Sequence, residues 1–301
     1  MKTDETLQTR RIDSSVWDKF KNLLEMIKFS HPVFALPFAL TGATLAALAN
    51  GRPPTVSQIF WICMAMAGAR TAAMGLNRII DARIDARNPR TAERHIPTGR
   101  VRLLDAWLLV GGALVLLLFA AWMLNPLCLK LSPVAILFLA LYSYCKRFTS
   151  MAHIVLGICL AAAPLGAWIA LRGSVDWPVI ALALAVLFWV AGFDIFYSLQ
   201  DVEFDKAQGL HSIPVRLGLA GAVRLVRFFH AAMMVLLLSL LFMPGLGWIY
   251  FTGLLVVGGL LVYEHRLVKA DDLSRLDAAF FNMNGYISVT IFLFTLAEAL
   301  I

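Results

Sequence analysis

Charge is what this chain has least of. Only 15% of its 301 residues are Asp, Glu, Lys or Arg, and just 19 are acidic. An ordinary soluble domain carries about 25% charged residues. With 60% hydrophobic residues and a mean hydropathy of +0.77, polar side chains are too few to cover a water-facing globule. Cysteine is also scarce. Cys63, Cys128, Cys145 and Cys159 are scattered through apolar stretches without ligand-type spacing, which argues against a disulfide framework or a zinc site. No glycine-rich phosphate loop of the nucleotide-binding kinds is present. Soluble domains, low-complexity tracts and internal repeats are likewise missing, so residues 1–301 read as a single domain.

What is there is a series of long apolar runs. A helix needs roughly 20 apolar residues to cross about 30 Å of hydrocarbon. Nine runs approach that length, at 30–49, 56–76, 104–124, 127–144, 153–171, 178–200, 220–242, 246–264 and 278–299. The fold class predicted is all-α and polytopic, with nine transmembrane helices in a lipid bilayer. Residues 1–27 are charged and lack the apolar core of a cleavable signal. In this leader Trp17, Phe20, Leu23, Leu24 and Met26 interleave with lysines, the pattern of an amphipathic helix lying on a membrane.

Positive charge sets the expected topology. One side of the membrane takes six Lys and Arg from the leader and seven between Arg78 and Arg102. It also takes Lys146 and Arg147, four between Lys206 and Arg227, and three between Arg266 and Arg275. The other side has only Arg52, Lys130 and Arg172, with Arg70 inside a segment. The positive-inside rule therefore predicts a cytoplasmic N-terminus in the cell's inner membrane and, after nine spans, an external C-terminus. The net charge of +7 reads as insertion signal and phosphate attraction, not as a nucleic-acid footprint.

Against this background two acidic clusters stand out. Asn77, Asp81 and Asp85 follow one another at steps of four; Asp194, Asp201 and Asp205 at steps of seven and four. On a helix such steps share one face, so each set predicts a stripe of oxygen ligands. Carboxylates at a membrane edge cost on the order of 2.5–3.5 kcal/mol on insertion scales and mark function by default. Mg²⁺ prefers such oxygens and is often held by one or two carboxylates plus substrate phosphates. Two facing stripes suit a diphosphate clamped through its metals. The bland reading is a pair of solvated loops whose acids pair with neighbouring basic residues.

Other residues fit the same chemistry. Arg90 and Arg94, in a loop just beyond the first stripe, offer fork-shaped donors for phosphate oxygens, and Pro97 and Gly99 allow that loop to fold back over the site. Lys146 and Arg147 end the fourth segment, where basic residues commonly serve as interfacial anchors. His31 opens the first segment, with Pro32 suited to a helix start and Pro37 predicting a bend. Asn282 and Asn284 open the last, where polar helix contacts are the ordinary role.

With these residues in place the chain resembles the UbiA superfamily of intramembrane prenyltransferases over nearly its whole length. Asn77-x-x-x-Asp81-x-x-x-Asp85, then Arg90-Thr91 and Arg94, are similar to the family's first motif; Tyr197-x-x-x-Asp201-x-x-x-Asp205 is similar to the second. Tyr144-x-Lys146-Arg147-x-Thr149 resembles the segment that distinguishes the 4-hydroxybenzoate branch. Two departures exist. Gly209-Leu-His211-Ser212 stands where many benzoate-branch members carry a Lys. The opening F-S-H-P-V-F-A-L-P-F looks more like the branch of the futalosine route to menaquinone, and 1,4-dihydroxy-2-naphthoate is another alternative acceptor.

The resemblance implies a helix bundle around a central cavity, a cytoplasmic cap and two Mg²⁺ ions. It implies that Asp81 and Asp85 hold one ion and Asp201 and Asp205 the other, with Asn77 and Asp194 as auxiliary ligands. Arg90, Arg94, Lys206 and Tyr197 would bind the diphosphate; Arg147, Lys146 and His31 the aromatic acceptor. The expected reaction is Mg²⁺-dependent transfer of a polyprenyl group from polyprenyl diphosphate to a small aromatic acid in ubiquinone or menaquinone biosynthesis. The rival from another class, an ion-coupled transporter, would place its charges near the midplane, in interrupted helices related by repeats. A lipid-diphosphate hydrolase would share the head-group site.

Overall fold

A computed structural model describes residues 16–27, 35–268 and 283–301, all of whose regular elements are helices. Helix α1 (Val16–Met26) is followed by α2 (Ala35–Asn50), α3 (Val56–Asp85), α4 (Leu103–Leu124), α5 (Pro126–Cys145) and α6 (Ala152–Arg172). Then come α7 (Trp177–Ser198), a 3₁₀ turn at Leu199–Asp201, α8 (Val202–Ala207), α9 (Ile213–Ser239), α10 (Trp248–Leu267) and α11 (Asn284–Ala299).

Local chemistry sets several of these boundaries. The Thr55 side chain accepts from the Gln58 amide while Gln58 reaches back to the Thr55 amide, a capping box that starts α3. Asn125 caps α5, whose first residue, Pro126, needs no amide partner. Gly173, at φ +68°, ends α6 in the left-handed region that favours glycine. Gly218, at φ +70°, breaks helical geometry within α9, so its apolar body begins where the sequence placed a span, near residue 220. Pro37 lies in the first turn of α2, where a missing amide hydrogen is tolerated.

Among the described residues seven helices are long and apolar enough to cross a membrane: α3, α4, α5, α6, α7 with its extension, α9 and α10. The predicted first and last runs correspond to α2 and α11, each 16 residues long. Outward faces such as Trp107, Leu108, Val115, Phe119 and Trp122 on α4 are exposed. Rows of that size suit lipid and would aggregate in water.

The core forms around α7, which packs between α6 and α9. Trp168, Trp189, Phe38 and Tyr250 are fully buried there. The Trp189 ring sits between two others: Phe38 tilts against it at a centroid separation of 4.9 Å, and Phe193 meets it edge-on, also at 4.9 Å. Small residues let the helices approach. A side chain at Gly68 would meet the Ala113 carbonyl oxygen at 2.8 Å and the Leu117 amide at 2.9 Å, so α3 and α4 pack nearly backbone to backbone. At the end of α1, Met26 and Ile27 are buried against Val101 and Ala106, while Trp17 and Phe20 remain exposed.

Two consequences position the site. From α3 to α7 consecutive long helices run antiparallel, as Gly68 against Leu117 and Gly75 against Val110 show for α3 and α4, so α3, α5 and α7 all finish at the same end of the bundle. At 30 residues, α3 is also about 45 Å long, half as long again as the hydrocarbon is thick. Its last polar turns therefore project beyond the apolar layer.

Candidate active site

The projecting end of α3 carries the first acidic cluster. Asp81 and Asp85 are buried, at 2% and 3% exposure, which makes cationic partners obligatory. Asp81 has two: Lys146 Nζ lies 2.9 Å from Oδ2 and Arg147 Nη2 3.0 Å from Oδ1. Asn77 donates its amide to Asp81 Oδ2 at 2.9 Å, and weakly to Ser143 at 3.4 Å. Arg94 donates through Nη1 to both oxygens of Asp85 at 2.7 Å. The loop does fold back: Thr91 donates to the Asp85 carbonyl at 3.1 Å, and Gly99, at φ +73°, makes the turn that follows.

The second cluster departs from the expected stripe. Asp194 lies in α7, Asp201 in the 3₁₀ turn and Asp205 in α8, so no single helical face carries all three. Asp194 is held by His153, Nδ1 to Oδ2 at 2.6 Å. His153 Nε2 accepts from the Ile213 amide at 3.4 Å, and since an amide can only donate, Nδ1 carries the proton given to Asp194. That arrangement ties α6, α7 and α9 together. Asp205 is within hydrogen-bond reach of Ser212 and electrostatic reach of Asp201 and Lys146.

Arg90 joins the clusters. Its Nε donates to Asp201 Oδ1 at 3.0 Å and its Nη2 to Oδ2 at 2.5 Å, a bidentate grip, while Nη1 reaches the Tyr197 hydroxyl at 3.1 Å. Asn88 adds a bond to Asp201 Oδ1 at 3.2 Å. Burial opposes the charge on Arg90, but the hydrogen bond and charge of Asp201 outweigh it and hold its pKa above the ordinary value. The loop after the first motif thus docks on the second, 111 residues away in Arg90's case.

Three expected ligand-binding residues are engaged with protein groups. Lys206 is exposed and pairs with Glu203 at 3.2 Å. Arg147 does not present a free fork to a ligand: Nη1 donates to the Ser143 carbonyl at 2.6 Å, and Nη2 to the Ile80 carbonyl at 2.8 Å as well as to Asp81. Lys146, expected at the acceptor, likewise sits on Asp81. His31 and Asn282 lie outside the described residues. Asn88, Ser143 and His153 bond to candidate site residues and had no sequence signal of their own, because each does so through a contact distant in the chain.

The donor set is made of carboxylate and amide oxygens, which suits a hard divalent cation. Among the described residues no three His, Cys, Asp or Glu side chains already converge as a closed metal cage. A site that shares its ions with substrate phosphates needs no such cage.

Comparison with known proteins bears on the family and the fold. A family model described as the UbiA prenyltransferase family matches residues 35–286. A 4-hydroxybenzoate octaprenyltransferase of Nitrosococcus oceani is 29% identical over 266 residues, 87% of this chain and 92% of that protein. One from Nitrosospira multiformis is 31% identical over 223 residues, 74% of this chain and 76% of its own length. Among solved structures, the apo form of a UbiA homolog from Aeropyrum pernix superposes with a TM-score of 0.81 at 32% identity, covering 89% of this chain and 98% of that one. A UbiA homolog from Archaeoglobus fulgidus bound to GPP and Mg²⁺ has the same fold, with a TM-score of 0.72 at 20% identity over 94% of this chain and 100% of that one.

Proposed function

Since the chain belongs to the UbiA prenyltransferase family and is an integral membrane prenyltransferase, we propose that it transfers a polyprenyl group to a ring carbon of a 4-hydroxybenzoate-like aromatic acid in quinone biosynthesis. The observation that carries this reading is the junction of the two acidic motifs through Arg90 and Asn88 on Asp201. It brings a diphosphate-sized concentration of carboxylates and guanidinium groups to one end of an apolar bundle.

In this reading nine helices enclose the site, their motif-bearing ends face the cytoplasm under a cap, and the membrane is the inner one. Asp81 and Asp85 would hold one Mg²⁺, and Asp201 and Asp205 the other; bound there, the metal supplies neutralisation of the charge that builds on the leaving diphosphate. Asn77 and Asp194 orient their neighbours through hydrogen bonds. Arg90 and Arg94 have the fork geometry to take phosphate oxygens, and Tyr197 supports Arg90. The donor's C–O bond breaks with its electron pair leaving on the diphosphate. The apolar walls keep water from the allylic cation. The electron-rich ring attacks that carbon, a C–C bond forms, and the ring proton leaves to restore aromaticity.

The test is direct. Membranes containing the protein are given Mg²⁺, a prenyl diphosphate and a small panel of aromatic acids, and the products are identified by mass. A C-prenylated aromatic acid is the expected product. Free prenol and diphosphate with no prenylated ring would establish a hydrolase instead.

A further inference from the structure

At rest Arg147 is spent on Asp81 and on two carbonyls, so first capture of a carboxylate from water falls to another cation. The structure offers one beside the site. A cleft of about 420 Å³ is lined by Phe148, Thr149, Ser150, His211, Ser212 and Arg216. That volume falls in the range of small-molecule sites. The cleft adjoins both motifs. Phe148 directly follows the Lys146–Arg147 pair on Asp81. The His211 amide donates to the Lys146 carbonyl at 2.7 Å, and Ser212 is in hydrogen-bond reach of Asp205.

Its chemistry is selective. Among the described residues the side chains of Arg216 and His211 have no hydrogen-bond or ion-pair partner. Phe148 offers a ring that is 62% exposed at the end of the bundle where the motifs lie. A free guanidinium grips a carboxylate and an open phenyl face stacks on an aromatic ring. A second cleft, of about 310 Å³ at the opposite end, shows the contrast. There Arg172 is spent on Asp176 at 2.9 Å and Asn50 at 2.8 Å, and lies over the Trp168 ring.

We propose that the cleft between Phe148 and Arg216 is an outer acceptor subsite, which takes a small aromatic carboxylate from water by a carboxylate–Arg216 contact and stacking on Phe148. The proposal rests on the aromatic-acceptor reading above. Both key side chains are at the surface, so Arg216→Gln and Phe148→Ala should leave the fold intact, which thermal unfolding checks.

Two measurements test it. The first is equilibrium binding of 4-hydroxybenzoate, and of its methyl ester, to purified protein without prenyl diphosphate. The second is steady-state kinetics with acid and ester. Arg216→Gln should weaken binding of the acid and raise its KM by roughly tenfold or more, the scale of a lost charged hydrogen bond. The ester and the KM of the donor should be unaffected. Phe148→Ala should weaken acid and ester alike. The subsite is overturned if Arg216→Gln leaves acid binding and KM unchanged, or if acid and ester lose equally. It is also overturned if the effect vanishes once anionic lipid is removed, which would assign Arg216 to a lipid phosphate. A protein that binds the acid through Arg216 yet prenylates no acid would retain the subsite and lose the proposed function.

Discussion

Asn88 contributes a single amide, and the second motif leans on it. Its bond to Asp201 at 3.2 Å runs beside the Arg90 grip on the same carboxylate. Asn88→Ala should lower kcat/KM for the prenyl diphosphate by roughly 10- to 150-fold, the range for a hydrogen bond to a charged group. Asn88→Asp should lose more, because two carboxylates would then face each other; donor kinetics with the Mg²⁺ concentration varied would check both. Asp81→Ala and Asp201→Ala should each abolish turnover while the protein remains inserted and folded, and near-normal activity in either, at matched expression, would sink the two-metal assignment. At this scale the sequence was informative about the acids and about a near neighbour such as Arg94, and silent about the distant partners. Steps of four expose Asn77, Asp81 and Asp85 to any reader of a helix. His153 and Asp194 are 41 residues apart, and no periodicity links them. Arg147 was legible as a basic residue near a membrane edge, but what it grips depended on how α5 lies against α3.

The helices follow apolar runs, and runs of about 20 residues are hard to mistake. What the pattern cannot register is a change of helical type within a run. Spacing alone put Asp194, Asp201 and Asp205 on one face, whereas the 3₁₀ turn at Leu199–Asp201 rotates the later residues away from the α7 face. The turn has a use: it leaves Asp194 to His153 and delivers Asp201 to the loop that follows α3. Helix packing carries its own prediction. Gly68→Leu would force a side chain into the backbone of α4, which cannot yield as a flexible side chain does. Overpacking of this kind costs typically about 1–3 kcal/mol. Thermal unfolding in detergent should show a lowered midpoint, and activity at low temperature should survive better than stability. An unchanged midpoint would mean that α3 and α4 can separate at no cost.

Across the whole molecule, polarity is arranged by depth. Exposed Trp122, Trp177 and Trp248 lie at helix ends on one side, and exposed Trp17 and Trp107 towards the other, the placement expected of interfacial anchors. Activity should require a divalent metal throughout: EDTA should remove it and Mg²⁺ restore it, and full turnover in EDTA would mean that the arginines hold the diphosphate unaided. The ion pairs add a further consequence. Asp85 has Arg94, Asp81 has Lys146 and Arg147, and Asp201 has Arg90, so the resting protein is already neutralised at each of these positions. In the two-metal reading, a metal arriving alone must evict a cation, and a diphosphate arriving alone must strip one from its carboxylate. Arriving together, each takes the partner the other displaces. Recruitment is then an exchange of partners, and the two affinities are thermodynamically reciprocal: whatever factor diphosphate adds to metal binding, metal adds to diphosphate binding. Titration calorimetry with inorganic diphosphate and Mg²⁺, each with and without the other, should return the same factor from both directions. Independent affinities would show that the resting ion pairs are not broken on binding.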